Sequence, residues 1–313
     1  MWLVEKFTKN SKALLVGDNP FHNISHLSQE RTRIRESTCA LPEHAADLIH
    51  LAVENGANGF MFSVSETTLS ILKTLKEREE IVRLSLYGIV PYAYEYVKLA
   101  TQVGGIPGLA RRVGTRIAAS GNLRGMTTGV IGFLSMDPLR IMKTYLTYEI
   151  GRIRSSAGKN GNVECILLHE VITDLALALN MDWLFKSYVD YMQKLGIAPG
   201  FNTCNFSYLV NKFRDWSIDL NRVVIAATFN RIGFQMAPSR EESEQTLRSL
   251  SSPSLIAISV LAAGYLKPRE ALQYIESLPN VKGIAIGISK ESHATETFRL
   301  AKTLEETNMS STL

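Results

Sequence analysis

Short apolar segments recur along the chain, and most of them precede a stretch in which apolar residues repeat with helical spacing. Eight such segments predict strands, at residues 13–19, 59–65, 82–90, 163–170, 197–205, 222–230, 254–262 and 281–289. Several are apolar throughout, which is typical of parallel strands covered on both faces. Helical periodicity predicts helices at residues 42–56, 65–79, 181–196, 206–216, 239–250, 268–278 and 290–306.

Eight strand–helix units predict an α/β protein, a single (β/α)8 TIM barrel over residues 1–313. An open Rossmann sheet is the alternative, and it is disfavoured because no G-x-G-x-x-G motif follows the first strand. The regular spacing is broken once, after the third strand, by residues 92–162. Loops at the carboxyl ends of barrel strands carry the active site, so we expect this long helical insertion to form a lid or a partner surface.

Composition restricts the class of protein. Of the 313 residues, 45% are hydrophobic and 20% charged, which excludes a disordered chain. Three widely spaced cysteines, Cys39, Cys165 and Cys204, argue against a disulfide framework and fit a reducing compartment. Neither a signal peptide nor an apolar run long enough for a membrane span is found. We therefore expect a cytoplasmic protein.

The net charge of +4, from 34 basic and 30 acidic residues, is too small to indicate a nucleic-acid partner. Much of the basic surplus lies in the insertion, at Arg111, Arg112, Arg116, Arg124, Arg140, Lys143, Arg152 and Arg154. A basic lid suits a small anionic substrate. The other interpretation of the same charges is a solvated helix face or a contact between copies in a homo-oligomer.

In a barrel, polar residues at the carboxyl ends of the strands are the candidates for catalysis and binding. The catalytic candidates are Asp18, His22, Tyr92, His169 and Glu170, and the candidates for cofactor binding are Asn202, Cys204, Asn205, Asn230, Gly264, Gly287, Ser289 and Lys290. His169 is in phase with Cys165 and Leu167 along its strand. Because imidazole titrates near neutral pH, His169 is the preferred acid, base or carbonyl-polarising group.

A divalent metal site is a further hypothesis. His22 and His26 are four residues apart, which would place both imidazoles on one face of a helix, near Asp18 and His169. The other interpretation is that Asn19 and Pro20 begin a turn and that the histidines cap it or pack beneath it.

Four segments of the second half resemble one known family. They read LLHEV (167–171), GFNTCNFSYLVNKF (200–213), TFNRIGFQ (228–235) and the stretch 259–300 that starts SVLAAGYLKP. They are similar to aldo/keto reductases, in which the fourth strand ends in a catalytic histidine and the next in Ser-Asn-Phe. The resemblance implies NADP or NAD as cofactor and His169 as the catalytic histidine. It also implies nicotinamide contacts from Cys204 and Asn205, a pyrophosphate contact near Gly264, and adenosine contacts from Ser289, Lys290 and Glu296.

The first half departs from that family. In that family the second strand ends in Asp followed by Tyr and the third strand ends in Lys. The corresponding strands of this chain read GFMFSVSET and LSLYGIVPY. Ala226 stands where the family has a glutamine that holds the carboxamide. The usual proton donor is therefore missing, and Tyr87, Tyr92 or Tyr94 would have to supply a phenol.

Three function classes stay open. The first is a divergent NAD(P)-linked oxidoreductase on an aldo/keto-reductase-like barrel, acting on a small polar or anionic substrate. The second is a non-redox lyase, isomerase or hydrolase that uses Asp18, His22, His26, His169 and Glu170, with or without a metal. The third is a binding module without catalysis, because a fold does not determine a function.

Overall fold

The structure is a computed structural model, and it describes residues 12–22, 41–91, 137–251 and 254–310. Its strands are β1 (Ala13–Gly17), β2 (Gly59–Ser63), β3 (Ser85–Val90), β4 (Asn162–Leu168), β5 (Ala198–Thr203), β6 (Val224–Thr228), β7 (Ser254–Ile258) and β8 (Val281–Gly287). All neighbouring pairs are parallel, and β8 pairs with β1 to close the barrel. The predicted (β/α)8 barrel is confirmed.

The helices surround this barrel. Those in the described ranges are α1 (Pro42–Glu54), α2 (Glu66–Glu77), α3 (Pro138–Ala157), α4 (Glu170–Ala178), α5 (Asp182–Lys194), α6 (Phe206–Asp215), α7 (Arg240–Arg248), α8 (Pro268–Ser277) and α9 (Phe298–Ser310). None of them is long and apolar enough to cross a membrane.

The strands are apolar on both faces because two separate cores use them. One core fills the barrel interior with side chains that include Leu15, Met61 and Tyr87. The other lies between the sheet and the helices, where Val16 and Phe60 pack from the opposite strand faces. Burial on both sides explains why the strands lack polar alternation.

The stretch predicted as an insertion contains an ordinary barrel helix. Helix α3 is capped by Asp137, whose carboxylate accepts hydrogen bonds from the N–H groups of Leu139 and Arg140, and it packs against α2 and β3. Residues 92–136, with Tyr92, Tyr94 and the first four insertion arginines, lie outside the described residues. The lid and the single domain therefore stay predictions.

Strand four ends earlier than its apolar run predicts. The pattern predicts a strand over 163–170, but β4 ends at Leu168 and α4 starts at Glu170. This nine-residue helix is not predicted, because apolar side chains such as Val171 and Leu175 lie on its exposed face and obscure the helical pattern. The turn between the two elements consists of His169.

Candidate functional site

The carboxyl ends of four strands bring polar side chains together at the mouth of the barrel. Each of these side chains lies two residues beyond a strand position that faces the barrel interior or is in phase with such a position. They are Ser63, His169, Asn202 and Thr228. Register places Leu168 beside Phe201, so His169 and Asn202 are neighbours at the same level. Three of the four are buried, and His169 is half-buried.

Asp18 and His22 form a buried pair at the end of β1. The Nε2 atom of His22 lies 3.0 Å from Oδ2 of Asp18, and both side chains are 6% exposed. The same Asp18 oxygen accepts the backbone N–H of Ser63 at 2.6 Å, so the carboxylate also holds the end of β2. Two of the predicted catalytic residues are therefore in direct contact.

His169 is the first residue beyond β4 and the N-cap of α4. Its Nδ1 accepts the backbone N–H of Val171 at 3.2 Å, so in the neutral ring the proton is on Nε2. Burial lowers the pKa of His169, while the charges of Glu170 and Asp18 act in the opposite direction. A neutral imidazole that presents an Nε2–H donor is suited to polarising a carbonyl oxygen.

One hydrogen-bonding atom of Asn202 has no partner among the described residues. The residue is 7% exposed, and the atom is its carbonyl oxygen Oδ1. Buried polar oxygens are nearly always bonded, and leaving one without a partner costs about 1–3 kcal/mol. This carbonyl oxygen is available to a ligand that donates a hydrogen bond.

The turn after β5 holds Cys204 and Asn205. The thiol of Cys204 points at the Glu170 carboxylate, with 3.7 Å between Sγ and Oε2, and burial with nearby negative charge raises the pKa of Cys204 to about 12. Such a thiol is a poor nucleophile at neutral pH. Asn205 caps α6 by accepting the N–H of Tyr208 at 3.3 Å. The cap is expected for an asparagine just before a predicted helix, whereas the contact with Glu170, 34 residues away, has no sequence signal.

Asn230 is fully buried after β6, and its amide is used within its own loop. Its Nδ2 donates to the carbonyl oxygen of Phe234 and its Oδ1 accepts the N–H of the same residue, both at 2.8 Å. The predicted cofactor role of Asn230 would require these bonds to break.

The loop after β7 has an unusual backbone. Ser259, Ala262, Ala263 and Gly264 all have positive φ, between 45° and 88°. Three of these carry a Cβ, so the conformation is strained, and such strain concentrates at binding sites. A Cβ added at Gly264 would meet no atom within 4 Å. The backbone at Gly264 is thus open to close approach.

The chain after β8 contributes three predicted residues. Gly287 is exposed, and a Cβ there would lie 3.0 Å from Cδ of Pro20 at the end of β1. Ser289 is half-buried and Lys290 is exposed, and the Lys290 carbonyl accepts the N–H of Ala294 in the turn that leads to α9. Both residues therefore lie at the start of this last helical region.

The described residues give little support to the predicted metal and anion sites. Within the described ranges no group of three His, Cys, Asp or Glu side chains could hold a metal, and His26 lies outside those ranges. Arg140 pairs with Asp137, and Arg152 lies between Glu66 and Glu149 at 2.8 Å from each. These two arginines are engaged in ion pairs.

Comparisons with known proteins agree with the fold. No protein-family model and no curated protein matches the sequence. Two solved structures, each described as a candidate aldo-keto reductase from Pseudomonas aeruginosa, match at 13% identity. The alignments cover 93% of this chain and 90% of those chains, with TM-scores of 0.55 and 0.54. The chain therefore folds as a barrel similar to that of aldo-keto reductases.

Proposed function

We propose that the protein is a divergent NAD(P)-linked oxidoreductase that binds its nucleotide across the carboxyl ends of the strands. The observation that carries this proposal is the strained and open loop after β7. The N–H groups of Ala262 and Gly264 donate to carbonyl oxygens within the loop, at 2.9 and 2.8 Å, so the support comes from the free space beside the backbone and not from free N–H donors. The open space at Gly264 suits a pyrophosphate at the backbone.

The residues at the mouth fit a nicotinamide ring as well. The unpartnered Oδ1 of Asn202 would accept a hydrogen bond from the carboxamide NH2 group. Cys204 and Asn205 contribute to this fit less than the resemblance implies, because their polar groups contact Glu170 and Tyr208. When bound, such a nucleotide supplies or accepts a hydride.

The remaining groups serve a carbonyl or alcohol substrate. The Nε2–H of neutral His169 donates to the substrate oxygen and stabilises negative charge that develops there. Asp18 and His22 are hydrogen-bonded at the same mouth, with 3.0 Å between Oδ2 and Nε2, and this pair serves as the proton donor and acceptor. This pair replaces the tyrosine that the resemblance implies.

The test is a fluorescence titration of the purified protein with NADPH and with NADH. Gly264→Ala should weaken the preferred nucleotide about tenfold, the loss of one good contact, because its Cβ enters the open approach. Gly196→Ala is the matched control, since Gly196 has a φ of 70°, also has no atom within 4 Å of an added Cβ, and precedes β5 at the opposite end of the barrel.

Absence of binding by both nucleotides at high micromolar concentration would refute the proposal. An equal effect of the two glycine variants would refute the role of the β7 loop, because both substitutions impose the same left-handed strain.

A second candidate function is supported by the buried contact between Asp18 and His22, beside His169. Groups that carry protons in this arrangement are sufficient for a non-redox isomerase or lyase. That activity needs no nucleotide, so a negative titration together with exchange of substrate protons for solvent deuterium would favour it.

A further inference from the structure

Asp174 lies in the middle of α4 and faces the turn that follows β5. Its Oδ1 accepts the hydroxyl of Thr203 at 2.5 Å, and its Oδ2 accepts the backbone N–H of Cys204 at 3.1 Å. The Thr203 hydroxyl oxygen in turn accepts the N–H of Asn205 at 2.9 Å. One carboxylate therefore holds three consecutive residues of the turn.

The position of the Asp174 carboxylate disfavours its negative charge. Asp174 is half-buried, and burial and the charge of Glu170 raise its pKa, whereas the hydrogen bonds from Thr203 and Cys204 lower it. In the part of the chain that the structure describes, no lysine or arginine pairs with it. A buried carboxylate without a cation is costly, so its bonds to the turn are its stabilising partners.

The turn begins directly after Asn202, whose carbonyl oxygen has no partner at the barrel mouth. The helix that carries Asp174 begins directly after His169. Asp174 thus connects the helix behind the proposed polarising imidazole to the strand that presents the unpartnered amide. A shift of the turn would move Asn202 relative to His169.

We propose that Asp174 is a positioning residue, which holds the turn of Thr203, Cys204 and Asn205 so that Asn202 presents its oxygen to the ligand beside His169. The identity of that ligand as a nicotinamide nucleotide rests on the proposed function. The hold on the turn does not, and it can be measured without any ligand.

The reporter is the thiol of Cys204, which reacts slowly while its pKa is about 12 and the turn is held. The rate of its alkylation by iodoacetamide is followed by peptide mass spectrometry at pH 8. Asp174→Asn should react about tenfold faster, because hydrogen bonds to a charged group are lost. Asp190→Asn, on the exposed face of α5, removes a similar charge without touching the turn and should stay within about twofold.

Thr203 separates the loss of geometry from the loss of charge. Thr203→Val removes one bond to Asp174 and leaves the carboxylate in place, and it should accelerate alkylation about fivefold. Thr203→Ser keeps the hydroxyl and should restore the wild-type rate. This pair also serves if Asp174→Asn fails to fold.

The second measurement is the affinity for NADPH. Asp174→Asn and Thr203→Val should each weaken it about tenfold, while Thr203→Ser and Asp190→Asn keep the wild-type affinity. Unchanged alkylation in both disruptive variants would overturn the proposal, as would faster alkylation with unchanged affinity in a protein that binds NADPH. A wild type that binds no nucleotide refutes the proposed function alone, and the alkylation rates still decide whether Asp174 holds the turn.

Discussion

Replacing Asn202 with leucine should stabilise the protein and abolish ligand binding at the mouth. The two side chains are similar in size, and the site is 7% exposed, so leucine would be almost fully buried. Removing the unpartnered oxygen recovers about 1–3 kcal/mol. Burying apolar methyl groups in place of the amide oxygen and nitrogen contributes about 1 kcal/mol more, and the loss of any bond from the amide nitrogen subtracts about 1 kcal/mol.

The expected net gain is about 1–3 kcal/mol in the free energy of unfolding, or roughly 2–5 °C in Tm for a chain of this size. Urea denaturation and calorimetry measure it directly. Nucleotide affinity should be lost in the same variant, because stability and function commonly oppose each other at a binding site.

Asn230 provides the matched control. It is another fully buried asparagine at the same end of the barrel, but both ends of its amide are bonded to Phe234 at 2.8 Å. Asn230→Leu should therefore destabilise the protein by about 3 kcal/mol. If Asn202→Leu instead lost more than about 1 kcal/mol, its oxygen would have a partner and could not be reserved for a ligand.

Two further predictions concern the barrel wall and the imidazole. Gly59→Ala should destabilise the protein by about 2 kcal/mol or more in urea denaturation, because the added Cβ would lie 2.5 Å from Cδ2 of Leu15 and 2.8 Å from the carbonyl oxygen of Ser85; an unchanged midpoint would contradict this. Glu170→Gln should lower the pKa of His169 further in NMR titrations, since the lost charge favours the protonated ring. Because that pKa is lowered on folding, His169 reduces stability as the pH falls below about 6.5, and a raised pKa would refute the assignment.

The strands were predictable from the sequence because each of them is buried on both faces. Seven fall within the apolar runs and β4 starts one residue before its run, at Asn162, and the continuous run at β7, for example, needs no knowledge of its neighbours. Helix α4 was not predictable in the same way. Only His169 and Glu170 separate its apolar residues from β4, and three apolar side chains, Val171, Leu175 and Leu179 at its end, are more than half exposed.

The site was only partly predictable, for a related reason. The positions of His169 and Asn202 follow from strand phase and chain order alone. The tautomer of His169 and the hydrogen bonding of Asn202 do not follow from the sequence. The tautomer depends on the N–H of Val171, and the lack of a partner for the Asn202 oxygen depends on the packing around it. Asp174 carries no sequence signal, because its partners are 29 and 30 residues away.

Asp18 changes what the missing motif of the second strand means. The resemblance implies an aspartate at the end of that strand, and here the strand ends in Ser63. In three dimensions the Asp18 carboxylate reaches from the first strand to the N–H of Ser63 at 2.6 Å. A carboxylate is therefore present at this corner of the mouth, although another strand supplies it. Its partner is the imidazole of His22, and the proposed proton transfer therefore rests on this pair and not on a phenol.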